Sequence, residues 1–282
     1  MSKIALIYAY WQNQPFGVTW CDLPWAMREG GLSKRLDDDG HDVVESIVMY
    51  EGEHPDELLA GFQVARDVAA EVTKARSEGE LPVILCGSCA VAAIGAIGGL
   101  HADEQTDPSL TGVAWLDAHP DLNTPETTSS GLFEGMALSA IHGNAYRQLA
   151  DEHVSLKPIV PGQTIMIGVR DIEAAEHAAL DRLSIRHAAD EDAVASALGG
   201  VARTYLHLDM DVHDAVQVRT NTYPVPGGLS AAATRNFVSC IPNVGALAVT
   251  GLDPAAADKD LAVDIAIGHV VAAASAWEDT PA

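Results

Sequence analysis

The stretch Val113-Ala114-Trp115-Leu116-Asp117-Ala118-His119-Pro120-Asp121 decides how the chain is read. Its apolar start reads as a buried strand. Three residues of the kind that hold metals then follow at alternate positions. Backbone that stays extended past Leu116 would point residues two apart to one side, so Asp117, His119 and Asp121 are expected to converge. Two hard carboxylates and one imidazole at a strand end make a shell for a divalent cation. Tyr205-Leu206-His207-Leu208-Asp209-Met210-Asp211 repeats the design, with Asp209 and Asp211 closing an apolar strand. Five such side chains exceed the needs of one ion and suggest a two-metal site that activates water. The plainer reading of Asp117, His119 and Asp121 is a solvated polar loop.

Working outward, apolar runs at Lys3–Tyr8, Asp42–Met49, Leu81–Cys86, Gly112–Leu116, Thr164–Val169, Thr204–Leu208 and Gly245–Val249 read as strands. Between them, Leu32–Leu36, Pro55–Ser77, Ala90–Leu100, Met136–His142, Ala174–Leu183, Ala231–Ser239 and Leu261–Trp277 read as helices. Pro55–Ser77 has the clearest helical spacing of apolar residues. Trp11–Trp25 and Asn123–Gly131 read as loops. Strands that alternate with helices predict an α/β fold with a parallel sheet covered on both faces. No repeat or linker divides the chain, so one domain over 1–282 is expected. Sites in such sheets sit at the carboxyl ends of the strands, where the proposed ligands lie.

Forty acidic residues against sixteen basic ones give a formal charge of −24. That balance argues against nucleic acid or an anionic membrane as partner, because no basic footprint exists to meet phosphates. No stretch approaches the roughly 20 apolar residues that span a bilayer. The N-terminus lacks the layout of a cleavable signal and reads as the first strand. Four cysteines, at 21, 86, 89 and 240, are too few for a disulfide scaffold, so cytoplasmic residence is expected.

Asp117-Ala118-His119-Pro120-Asp121, the following Asn123-Thr124-Pro125-Glu126-Thr127-Thr128 and the later Asp209-Met210-Asp211 together resemble the ureohydrolase family of arginases, agmatinases and formiminoglutamases. The resemblance runs from about residue 81 to 255 and includes Ile167-Gly168-Val169-Arg170-Asp171 and Pro226-Gly227-Gly228-Leu229. It implies a three-layer α/β/α arginase-like domain with a mainly parallel sheet. It also implies two manganese ions bridged by a hydroxide that attacks a guanidinium carbon. By position, Asp117 and Asp209 would bridge the metals. Asp121 would complete the first shell, and His119 and Asp211 the second. Trimers or hexamers are common in the family, so a homo-oligomer is expected.

Three positions depart from that pattern. Cys89, in Cys86-Gly87-Ser88-Cys89, stands where the family supplies a histidine to the first metal. A thiolate is soft, so a weaker first site or a metal other than manganese is expected. Glu134 replaces the catalytic-loop histidine, and Gly251 replaces the late glutamate that meets the guanidinium. A cysteine at the ligand position is also found in a branch resembling the Nω-hydroxy-L-arginine amidinohydrolases, and His207 just before Asp209 suits that branch. The arginase positions that hold a substrate α-carboxylate match Asn123, Thr128 and Ser130, and the acid near the α-amino group falls on Glu173. This favours a guanidino amino acid over a decarboxylated amine.

Alternatives stand beside each assignment. Cys89 could be a small buried residue, and Cys86 with Cys89 forms a C-x-x-C that could be redox-active. Glu134 could be a surface acid, a partner for a guanidinium or a proton shuttle. His142 and His213 could move protons or be core histidines. Asn123, Thr128 and Ser130 could simply hold their loop. The leading expectation is a binuclear amidinohydrolase. A hydrolase of a different amidine or amide, or a catalytically altered metal-binding relative, are the alternatives.

Overall fold

Runs of Val, Ile and Leu with no polar alternation demand cover on both faces, and the strands receive it. The structure, a computed structural model, describes residues 2–11, 22–50, 52, 56–102 and 106–277. In chain order the elements are β1 (Lys3–Tyr10), α1 (Leu23–Glu29), α2 (Leu32–Asp38), β2 (Asp42–Met49), α3 (Glu57–Ser77), β3 (Leu81–Cys86), α4 (Cys89–Leu100), β4 (Thr111–Leu116) and α5 (Ala137–Ile141). Then follow α6 (Arg147–Val154), β5 (Thr164–Ile167), α7 (Ala174–Leu183), β6 (Arg186–His187), α8 (Glu191–Leu198), β7 (Arg203–Asp209), α9 (Ala231–Cys240), β8 (Val244–Thr250) and α10 (Lys259–Ala276).

The strands form one eight-stranded sheet in the order β2-β1-β3-β8-β7-β4-β5-β6. Every strand pairing among the described residues is parallel. Successive residues of a strand enter opposite layers. Tyr205 packs into the core shared with α3 to α7, whereas Leu206 and Leu208 pack into the core shared with α1, α2, α8, α9 and α10. The expected three-layer α/β/α architecture is therefore present.

Local chemistry explains the helices that matter for the site. Asp56 caps α3 by accepting from the Leu59 N–H at 3.0 Å, and Lys74 and Arg76 sit at its negative end. Every residue of α4 is buried. Its small residues let α3 and the sheet close on it from both sides, with Gly95 and Gly99 facing Val68 and Val72. Each Val or Ile buried in that layer contributes about 1.5–3 kcal/mol relative to exposure. Ser88 caps α4 by accepting from the Val91 N–H, which fixes Cys89 as the first helical residue.

The described elements extend the sequence reading. α1 covers Leu23–Trp25, which were expected in a loop; residues 12–21 of that loop lie outside the described residues. Helices α6 and α8 and the two-residue strand β6 were not expected. α6 buries only Ala150, and both β6 residues are exposed, so neither carries a strong apolar pattern.

Candidate metal centre

Between β3 and β4 the chain skips two places in the sheet, which β8 and β7 fill later. The carboxyl ends of β3, β8, β7 and β4 thus lie side by side, at the kind of crossover where α/β sheets bind ligands. There a cavity of about 290 Å3 is lined by Cys89, Asp117, His119, Asp121, Asp209 and Asp211, among others. One ligand atom each from Cys89, Asp117, His207 and Asp209 lies within 4.8 Å of all the others in that set. Asp117, His119 and Asp211 form a second such set. Asp117 belongs to both.

The convergence does not come from continued strand. β4 stops at Leu116, and Asp121 adopts a left-handed φ of 48°. Pro120 has no N–H to extend the ladder, and the His119 N–H folds back onto Asp117 Oδ1 at 2.7 Å. The loop is then pinned from outside: the Arg170 and Asp171 N–H groups donate to Ala118 O, at 2.9 and 3.0 Å. Asp121 falls in neither tight set. It does line the cavity, and its buried Oδ2 has no hydrogen-bond partner among the described residues.

Each carboxylate is held in place. Asp209 receives the Asp211 N–H on Oδ1 at 2.8 Å, and the Cys89 thiol and Thr250 hydroxyl on Oδ2 at 3.1 and 3.3 Å. Asp211 receives the Ala118 N–H at 3.0 Å and the Asn221 amide at 3.2 Å. His119 Nδ1 lies 3.1 Å from Asp211 and 3.5 Å from Asp117. Arg170 ties down the backbone beneath, donating to Gly168, Asp211, Val212, His213, Val225 and Pro226 carbonyls. This gives the Ile167–Asp171 and Pro226–Leu229 segments a common purpose. Gly228 is required there, since a Cβ would meet the His213 carbonyl.

The electrostatics are those of acids awaiting a counter-charge. Burial, then the Asp211 charge, pushes Asp117 up to about 7. Burial and neighbouring carboxylates raise Asp121 and Asp209 well above the usual range. Burial opposes charge on both His119 and Asp211. Contacts with Asp117 and then Asp211 outweigh it at His119 and hold that ring up to about 12, while the His119 contact holds Asp211 well below the usual carboxylate range. Burial, then the Asp209 charge, pushes the Cys89 thiol well up, despite its place at a helix N-terminus. Cations bound between these oxygens would replace the protons and relieve the repulsion. With a buried unpartnered Asp121 oxygen and two donor sets sharing Asp117, the residues fit a pair of divalent ions.

The remaining predicted residues divide. Asn123, Ser130, Glu134 and Glu173 line the cavity. Glu134 accepts from Ser88, and burial raises its pKa. Thr128 is not among the lining residues; its hydroxyl accepts from the Gly131 N–H at 2.9 Å. His142 bonds Ile159 O and Thr164 within the core, and His213 bonds Met210 O and His269; neither lines the cavity. Cys86 is buried and its sulfur accepts from the Ser88 N–H, and neither Cys86 nor Cys89 is in a disulfide. Sequence reasoning missed Ser129, Asn221 and Tyr223, which also line the cavity. They carry no motif, although Ser129 adjoins the residues assigned to the loop.

An eight-stranded parallel sheet with carboxylates, a histidine and a thiol at its carboxyl edge defines an α/β protein with a candidate metal centre. A sequence model of the arginase family matches residues 24–277. Human mitochondrial arginase-2 is 31% identical over 258 residues, covering 81% of this chain and 70% of that protein. The arginase structure from Bacillus subtilis superposes with a TM-score of 0.84 at 22% identity, covering 97% of this chain and 98% of that one. The structure of Entamoeba histolytica arginase in complex with L-ornithine gives 0.85 at 19% identity, covering 97% and 98%. The chain belongs to the arginase family. It is accordingly a hydrolase of C–N bonds in linear amidines.

Proposed function

We propose that this chain hydrolyses the guanidino C–N bond of a guanidino amino acid, Nω-hydroxy-L-arginine or L-arginine, releasing hydroxyurea or urea. The observation that carries the reading is Asp117 shared by two sets of donor atoms at the base of one cavity. A pair of divalent cations, manganese by family resemblance, would supply Lewis acidity and an acidified water at neutral pH. Cys89, Asp117, Asp121 and Asp209 would hold the first ion; Asp117, His119, Asp209 and Asp211 would hold the second.

The chain's own groups do the rest. Asn123 and Ser130, with Thr128 steadying their loop, present neutral donors to an α-carboxylate. Glu173, at the mouth beside Ser129, faces the α-amino group. Glu134 pairs with the guanidinium from the loop opposite and holds or passes a proton at its carboxyl. No helix of the described chain is long and apolar enough to cross a membrane. A single domain over 1–282, cytoplasmic residence and a homo-oligomer complete the reading.

The test is incubation of manganese-loaded protein with arginine, Nω-hydroxyarginine and agmatine, measuring urea or hydroxyurea. Turnover of the amino acids above agmatine supports the reading; no turnover of any guanidino compound overturns it. One observation favours a different amidine or amide as substrate. Gly251, where the family places its guanidinium-binding glutamate, has no room for a Cβ beside Asp209. Activity confined to compounds without a guanidino group would establish that second reading.

A further inference from the structure

His207 is built like a ligand and differs in its bonding from the core histidines His101 and His142. It lies on β7 two residues before Asp209, on the same side of the strand. Its ring stacks on Trp115, its register partner on β4, with centroids 3.6 Å apart and planes within 5°. Nδ1 meets the Tyr205 hydroxyl at 2.8 Å. The ring is thereby fixed in plane and rotation, and Nε2 points at the Cys89, Asp117 and Asp209 donor atoms.

The contrast lies at that nitrogen. His101 meets Lys157 O at 3.0 Å and Thr111 Oγ1 at 2.9 Å, so both of its nitrogens are well bonded. His142 does the same with Ile159 O and Thr164 Oγ1, both at 3.0 Å. His207 Nε2 has only long contacts: Thr250 Oγ1 at 3.3 Å and Asp117 Oδ2 at 4.0 Å. That Thr250 hydroxyl also faces Asp209 at 3.3 Å and Cys89 at 3.4 Å. The Cys89 thiol donates to that hydroxyl, whose single proton cannot serve both Asp209 and His207 Nε2. An imidazole whose Nδ1–H donates to Tyr205 keeps its Nε2 lone pair free for a cation, the arrangement usual for metal-bound histidine.

We propose that His207 Nε2 is a ligand of the first ion, beside Cys89, Asp117 and Asp209. The imidazole that this family member lacks at position 89 is thereby returned from β7, two places along the sheet from β3. A thiolate and an imidazole among carboxylates suit zinc or cobalt better than manganese, whereas the Asp117, His119 and Asp211 set stays harder. The two sites then differ in metal preference. This inference rests on the binuclear reading above.

The test is a crystal structure of zinc-loaded wild-type protein with anomalous data, alongside chelator-competition affinities for zinc. An ion about 2.0–2.1 Å from Nε2 is expected. His207→Gln should lower first-site zinc affinity at least about 100-fold, and Tyr205→Phe should lower it about 10–100-fold by freeing Nδ1. An ion bound to Cys89, Asp117 and Asp209 but beyond about 3 Å from Nε2 overturns this inference and leaves the binuclear reading standing. No ion at either donor set overturns both. The wild-type crystal decides the matter even where the variants fail to fold.

Discussion

The Cys89 thiol lies 3.1 Å from Asp209 Oδ2, although 120 positions separate the two residues along the chain. One comes from the first turn of α4, the other from the end of β7, and β8 lies between their strands in the sheet. A sulfur therefore stands beside a carboxylate assigned to both ions. Cys89→His exchanges a soft donor for one that manganese prefers. Manganese affinity is expected to rise at least about 10-fold, read by equilibrium dialysis with elemental analysis. Unchanged occupancy would mean that the thiol only packs.

Metal-free protein should lose stability as pH rises from about 5.5 to 8. Asp117, Asp121 and Asp209 have folded pKa values above their unfolded ones, so their contribution is complete below about 4 and is lost as pH climbs through the raised values, about 7 for Asp117. His119, raised to about 12, acts in the same sense above its unfolded value of about 6.5. Asp211 is depressed, and its contribution is lost only as pH falls below about 4, outside this window. Calorimetry should thus show a lower Tm at pH 8 than at pH 5.5 after chelation. Divalent metal should restore most of the difference, since binding displaces the same protons. A Tm of the chelated protein that rises with pH would contradict the site's electrostatics.

Restoring the family's late acid should fail. Gly251 has φ of 65°, and its Cβ position overlaps an Asp209 carboxylate that Asp211, Thr250 and Cys89 already hold. A left-handed backbone alone costs a non-glycine residue about 1–2 kcal/mol. Gly251→Ala should therefore lower Tm by roughly 4–8 °C once the overlap is included. Gly251→Glu should lower both Tm and metal content. A Gly251→Glu variant with wild-type Tm would show that the loop can move away from Asp209.

Glu134 lines the same cavity as Gly251 and is proposed to carry the charge that Gly251 cannot. Its pKa is raised by burial, with Ser88 donating to it. A reaction that uses its carboxylate should weaken as pH falls through that raised value. Glu134→Gln should cut kcat/KM on the guanidino amino acid about 100-fold and remove that acidic limb. Wild-type kcat/KM with the limb intact would reduce Glu134 to a packing role.

Much of this was legible because ligand chemistry is local. Two apolar strands, each ending in ligand-type residues spaced by two, marked β4, β7 and five of the cavity's donors without any knowledge of their partners. Elements with weak apolar signals were not legible. α8 buries only Val194 and Leu198, and α1 begins at a Leu-Pro pair that reads as a turn but also fits a helix start. The extended-strand argument found residues that line one cavity, but by the wrong geometry, since Pro120 and the left-handed Asp121 turn the chain instead.

By itself, then, the sequence determined the parallel α/β layering and which side chains could grip a cation, because periodicity and donor type are written residue by residue. Only the tertiary structure decided that Asp117 serves two donor sets, that His207 joins Cys89 and Asp209 in one of them, and that Gly251 leaves no space for an acid. Those facts follow from which strands become neighbours after β3 and β4 leave room for β8 and β7. That order is set by long crossovers through two packed layers, and no local pattern encodes it.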